Sequence, residues 1–248
     1  MSTVQGGQGN IVTNGLVLNL DAANPRSYAP PFNGTDWQNL VPMSGSISGS
    51  LTNGVGYTGS NGGALVFDGV NDYVGGTGLD NASSALGGSS AVTVNTWVKR
   101  NSLSLGTGRT FFGFFNISGV HKLLLNFNST DQISIFGRSA NESGQGVITV
   151  SSFTSTTSWY NITGIWIYGT NTILCYVNGI LQSTTGTVTF SQSTLAAGTV
   201  SDRNRIGAEG ASSTLFPGNI AQTQIYNRAL NASEVLQNFN ATRARFGV

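Results

Sequence analysis

Along most of this 248-residue chain, apolar residues return at every second position. Leu16, Leu18 and Leu20 alternate with Val17 and Asn19, and Leu65 and Phe67 lead into a turn at Asp68-Gly69. Val92, Val94 and Val98 share one parity while Trp97 takes the other. Leu123, Leu125 and Phe127 alternate, as do Ile133 and Ile135, and Tyr160, Ile162, Trp166 and Tyr168 share one face. A period of two is the mark of strands with one face buried. Ile173, Cys175 and Val177 run into Asn178-Gly179 before Ile180-Leu181, the strongest short signal for a hairpin, because a type I′ turn needs positive φ twice. Ile220, Gln222, Gln224 and Tyr226 form a late strand. Many short strands between Gly-rich turns predict an all-β sandwich or barrel.

One helix is expected, near the C-terminus. Asn231 is placed to N-cap it with Glu234 at N3, and Leu230 before the cap can staple onto Val235. Val235, Leu236 and Phe239 make its apolar stripe, and the helix is expected to close one end of the sandwich. Ser44–Gly63, rich in glycine and serine, reads as a surface loop or an insertion at the rim. No internal repeat and no second core interrupt the pattern. The expected organisation is an extended arm over residues 1–14, free or docked on a neighbouring subunit, followed by one β domain over residues 15–248.

Composition narrows the function classes. Only 8% of residues are charged, against about 25% in ordinary domains, and the net charge is +1, so neither nucleic acid nor an anionic membrane is an expected partner. No apolar run approaches the ~18–20 residues of a membrane span. The first residues lack a basic stretch followed by an apolar one, so no signal peptide is read. With Cys175 alone, no internal disulfide can form.

Catalytic chemistry finds little to work with. Glycoside hydrolysis needs two placed carboxyl groups, and Glu142, Glu209 and Glu234 each lack an acid within four positions. A Cys–His or Ser–His relay would have to use His121, the one histidine, and His121 and Cys175 are expected as a strand-edge imidazole and a core thiol. No Gly-x-Ser-x-Gly, Walker A loop or Cys-x-x-Cys pair occurs. No catalytic residue, cofactor or metal ligand is assigned, and the chain is expected not to be an enzyme. Trp37, Tyr57, Tyr73 and Trp97 are candidates for stacking on sugar rings, with core packing the alternative for each. Arg243 and Arg245 suit a helix C-terminus, or contact with an acidic neighbour.

Several segments carry a family likeness. GLVLNLDAANPRSY (15–28), GGALVFDGVNDYV (62–74), VTVNTWVKR (92–100), SWYNITGIWIYGTNTILCYVNGILQ (158–182), RIGAEG and LFPGNIAQTQIYNRALNASEVLQNF (215–239) together resemble the concanavalin A-like lectin/glucanase superfamily, specifically its laminin G-like branch. The resemblance implies a jelly-roll sandwich of two antiparallel sheets with one short C-terminal helix. Its enzymes commonly carry Glu-x-Asp-x-Glu on one strand, which is absent here. Relatives often hold Ca²⁺ at the rim; Asp68, Asn71 and Asp72, with Asp21, are the oxygen-rich positions, and turn-building explains them as well. LDAANP near the start and YNRAL near the end are similar to modules in virion proteins of marine bacteriophages. The expected function is therefore a non-enzymatic virion structural protein, such as a capsid decoration or fibre-like component. It would be made in the host cytoplasm, with neighbouring virion subunits or copies of itself as partners. The alternative is a glycan-binding lectin or adhesion module.

Overall fold

The structure, a computed structural model, describes residues 10–42, 47–104, 106–116, 121–140, 144–197, 203–209 and 214–248. Two antiparallel sheets face each other. Sheet A runs in the order β14 (Ile180–Leu181), β13 (Thr172–Val177), β12 (Tyr160–Ile167), β7 (Ala91–Arg100), β17 (Pro217–Tyr226), β5 (Ala64–Asp68) and β4 (Gly56–Thr58). β1 (Leu16–Asp21) pairs with the C-terminal half of β17, beside the half that β5 occupies. Sheet B runs β15 (Thr185–Thr189), β11 (Gln145–Ser152), β10 (Gln132–Arg138), β9 (His121–Phe127), β8 (Arg109–Phe115), β16 (Arg205–Ile206), β6 (Tyr73–Gly75), β3 (Ser48–Thr52) and β2 (Asp36–Gln38). This is the all-β jelly-roll sandwich that the alternation and the resemblance imply.

The period-two readings account for the core. Val92, Val94 and Val98 of β7, Leu123, Leu125 and Phe127 of β9, Ile133 and Ile135 of β10 and Ile162 and Trp166 of β12 all meet between the sheets. Trp97 lies on the other side of β7. Asn178 and Gly179 take φ of 52° and 77°, as the hairpin requires. The late strand departs from simple alternation. A bulge between Ile220 and Gln222 turns Ile220 inward while Gln222 and Gln224 join the outer face.

α2 (Ala232–Thr242) has the full capping box between Asn231 and Glu234, and Leu230 and Val235 share a cluster as a staple should. It does not close an end of the sandwich. It lies over the outer face of sheet A, because that face is itself apolar: Val235 packs with Ile165, Tyr176 and Tyr226, and Phe239 stacks on Trp97 at 5.8 Å. Residues 10–14 of the arm bind the same layer. Val12 donates its N–H to Asn238 Oδ1 (2.8 Å) and accepts the Tyr226 hydroxyl (3.0 Å), so this part of the arm is tied to its own domain. Residues 1–9 lie outside the described residues.

A second helix, α1 (Thr77–Ala85), was not expected; it plugs Leu79 and Ala82 into the core. Ser44–Gly63 is more than a loop, since from residue 47 onward it supplies β3, β4 and a 3-10 turn at Ser60–Gly62.

The tail after α2 is latched. Phe246 stacks on Trp97 at 4.0 Å, and Arg245 donates from Nη1 to both Asp21 oxygens (2.9 and 3.1 Å), from Nε to Asn61 O and from Nη2 to Gly63 O (both 3.3 Å). Arg245 thus serves an internal ion pair rather than the helix dipole, while Arg243 is exposed and lies over the Phe239 ring. Arg245→Ala is expected to lower the unfolding free energy by about 1–2 kcal/mol, the scale of charge-assisted hydrogen bonds at a partly buried site. Chemical denaturation of both proteins measures this, and an unchanged midpoint would mean that the tail is not held by these bonds.

Candidate functional site

The two outer faces of the sandwich differ. That of sheet A is covered by α2, the tail and residues 10–14, and some of its polar groups bond one another: Asn95 Nδ2 donates to Gln224 Oε1 (2.8 Å) and Thr163 Oγ1 to Asn95 Oδ1 (2.7 Å). No helix is laid over sheet B among the described residues, and its outward side chains stand in three rows set by strand register.

The first row runs across Thr185, Thr149, Ser134, Asn126 and Thr110, a line of hydroxyls and an amide. Thr185 and Thr149 share a hydrogen bond of 2.9 Å. The second row is Thr187, Val147, Phe136, Leu124, Gly113 and Arg205. The third holds Thr189, Gln145 and Arg138, with Lys122 beyond. Arg138 donates to Gln145 Oε1 at 3.2 Å and its guanidinium sits 5.0 Å from the Phe136 ring centre. Arg205 lies over the Tyr73 ring at 4.0 Å; burial, the larger influence, and the nearby Arg203 lower its pKa while Tyr73 opposes them. Lys122 is buried and donates to Ala197 O (3.1 Å). At the β11–β15 edge, Gln145, Val147, Thr149, Thr185, Thr187 and Thr189 line a groove of about 400 Å³.

A half-buried phenyl ring beside neutral hydroxyls and amides is what a sugar needs: an apolar C–H face to cover and hydroxyls to pair. Neutral polar groups give up water at lower cost than charges do.

The sequence candidates fall unevenly on this map. Tyr73 is on the open face. Trp37 and Trp97 are fully buried, and Trp97 donates to Thr242 Oγ1 at 2.8 Å, so neither is a sugar platform. Tyr57 stacks on Phe32 (4.3 Å, 8°) at the rim. Cys175 is buried, with its thiol pushed up to about 12 by burial, as fits a core residue. His121 opens β9, but its side chain is outside the described residues, as is Glu142. Glu209 accepts the Thr214 hydroxyl (2.8 Å), and Glu234 is held by Arg228 and the helix cap. Phe136, Arg138 and Arg205 were not singled out in the sequence, because only long-range register puts them together.

The oxygen-rich turn is built on its own hydrogen bonds. Asp68 Oδ1 accepts the amides of Val70 (2.7 Å) and Asn71 (3.2 Å), and Asp72 Oδ2 accepts that of Asp68 (3.0 Å). Those backbone bonds, that of Val70 foremost, hold Asp68 below its ordinary pKa, whereas burial and then the Asp68 charge raise Asp72. The Asp21 carboxylate is committed to Arg245. Asp72 Oδ1 is the one buried oxygen of this turn without a hydrogen-bond partner. Among the described residues no three acidic, histidine or cysteine side chains converge.

A family profile described as "Laminin_G_3: Concanavalin A-like lectin/glucanases superfamily" matches residues 68–236. The chain belongs to this superfamily. A search of curated protein sequences finds no match. Among solved structures, the superfamily member is similar to Trypanosoma rangeli sialidase in complex with 2,3-difluorosialic acid (TM-score 0.66, 17% identity, 98% of this chain and 35% of that one). It is also similar to the carbohydrate-binding module CBM40 of the Ruminococcus gnavus IT-sialidase, bound to α2,3-sialyllactose (0.53, 14%, 70% and 94%). A third is the binding domain of Paraclostridial Mosquitocidal Protein 1 (0.62, 15%, 92% and 52%). The superfamily member spans about a third of the length of the sialidases. At these identities the likeness is one of fold.

Proposed function

We propose that the chain is a glycan-binding module which holds its ligand on the outer face of sheet B and does not cleave it. The observation that carries this is the contrast between faces: sheet A is roofed, whereas over β10, β11 and β15 sheet B presents hydroxyls, amides and the Phe136 ring in register; over β8 and β9 the outward Thr110, Phe115, Lys122 and Leu124 are buried. Structural neighbours that include a carbohydrate-binding module support it at the level of fold. Asp36, at the far edge, is the one acid in the nine strands of sheet B, which supports binding without the paired carboxyls of hydrolysis. A purely structural role on a virus particle has less support, since residues 10–14 bind their own domain rather than standing free for a neighbour. Virion display and neighbouring subunits as partners remain part of the proposal only as a setting in which such a face would work.

Screening the purified chain on a glycan array, followed by titration of the best ligand, tests the reading. Phe136→Ala is expected to weaken binding about tenfold, as loss of an aromatic contact of 0.5–1.5 kcal/mol plus its buried area implies. Its thermal midpoint should stay within a few degrees, because Phe136 faces outward. Array-wide silence, or an affinity indifferent to Phe136, would count against the proposal.

A further inference from the structure

Charge within the strands of sheet B is one-sided. The chain has 11 Lys and Arg against 10 Asp and Glu, yet the strands of sheet B hold Arg109, Lys122, Arg138 and Arg205 against Asp36 alone. Arg138 and Arg205 both point outward, since Gly137 lies under Trp166 on the inner side and Ile206 is in the core. Neither guanidinium has a carboxylate among the described residues. Each lies over an aromatic ring, Phe136 at 5.0 Å and Tyr73 at 4.0 Å. A ring beneath a guanidinium fixes its plane and leaves its N–H edge outward, the edge that pairs with planar oxyanions through two bonds. Gln145 takes one of the Arg138 donors and leaves the rest. Arg138 in β10 and Arg205 in β16 are separated by three strand steps of about 4.8 Å and by two residues along the strands, or roughly 16 Å. Between them Leu124 is buried and the fully buried Phe115 ring lies against Gly113, an apolar stretch whose polar neighbour, Lys122, is bound to Ala197 O. Exposed Arg203 adds positive potential beside Arg205.

We infer that the ligand of this face is an acidic polysaccharide, whose carboxylate or sulfate groups are taken by Arg138 and Arg205 as it runs across the strands. The inference rests on the glycan-binding reading and names the ligand class. Arg138 and Arg205 would set specificity, while Phe136 and the hydroxyl row would contact the neutral parts of the sugar.

Binding of the whole chain to dextran, dextran sulfate and polygalacturonate, with oligo(dT) as a non-saccharide polyanion, tests it by biolayer interferometry at low and moderate salt. The expected result is at least tenfold tighter binding to one or both acidic polysaccharides than to dextran or oligo(dT). The two acidic polymers separate sulfate from carboxylate preference. Arg138→Gln and Arg205→Gln should each lose about tenfold on the preferred polymer, as removal of a charge-assisted hydrogen bond does. Arg26→Gln, which removes an equal charge from an exposed turn elsewhere, should change nothing. Arg138→Lys keeps the charge and the fold but loses the fork, and should bind more weakly than wild type. Equal binding to dextran and dextran sulfate, untouched by the arginine variants, would overturn acidic selectivity and leave glycan binding standing. Equal binding to oligo(dT) would overturn it as mere polyanion attraction, and binding to no polysaccharide would overturn both readings.

Discussion

Trp166→Ala is expected to lower the unfolding free energy by about 3–5 kcal/mol, the range for emptying an aromatic site in a core that cannot collapse. Trp166 is fully buried and joins the sheets. From β12 its ring reaches across to β10 so closely that a Cβ on Gly137 would come within 2.4 Å of it, and its far edge lies 3.0 Å from where a Gly164 Cβ would stand. Two glycines, one on each sheet, make the room. The indole N–H donates to Phe136 O at 3.0 Å, so the same side chain steadies the strand that carries Phe136 and Arg138 on the opposite face. Urea denaturation should show a lower midpoint with an unchanged slope, and any surviving ligand affinity should fall as well. A loss below 1 kcal/mol would mean that β10 and β12 are held together by something else.

Asp131→Asn should cost about 3 kcal/mol. Arg100 ends β7 inside the sandwich with 1% of its side chain exposed, above the Phe127 ring at 4.7 Å. Its one carboxylate among the described residues is Asp131, 16% exposed and 2.9 Å away. The contact is close but poorly aligned as a hydrogen bond, and no Arg100 nitrogen finds a well-aligned acceptor among the described residues. Removing the partner strands a buried charge, which costs about 3–5 kcal/mol in fully buried pairs. The lower end applies because Asp131 keeps some water. The pH dependence follows. Burial raises the Asp131 pKa, but the Ser104 amide (2.7 Å) and Arg100 outweigh it, so the group titrates below the ordinary carboxylate value. A depressed folded-state pKa stabilises above the unfolded value near 4 and loses that contribution as pH falls through the folded one. The gap between wild type and Asp131→Asn should therefore be full at pH 6 and narrow in acid below about pH 4. A gap constant from pH 6 to pH 2 would show that the carboxylate charge is irrelevant.

Much of the fold was legible because strand alternation and turn chemistry are local. Asn178-Gly179 announced its hairpin, and Asn231 with Glu234 announced the helix start. The helix's resting place was not, since it depends on which sheet leaves an apolar outer face. α1 escaped because TGLDNASSA offers Leu79 and two small alanines as its apolar set and begins after a glycine without a side-chain cap. The Gly/Ser-rich stretch hid β3 and β4, although Asn53-Gly54, with φ of 64° and 99°, was a turn signal in plain view. Tryptophans drew attention as sugar platforms, yet the largest rings are the most useful core filling, and both named ones are buried. The candidate face stayed hidden for the opposite reason. Its members are the polar alternates of five or six strands, unremarkable one by one, and they become a surface only when β15, β11, β10, β9, β8 and β16 are placed side by side.

The most direct test of that surface is an amide chemical-shift titration with a short oligosaccharide cut from whichever polymer binds. The account predicts shifts concentrated in β10, β11 and β15, around Phe136, Arg138, Val147 and Thr187, with α2 silent. Shifts confined to the rim around residues 29–35, or to the α2 side of sheet A, would contradict it.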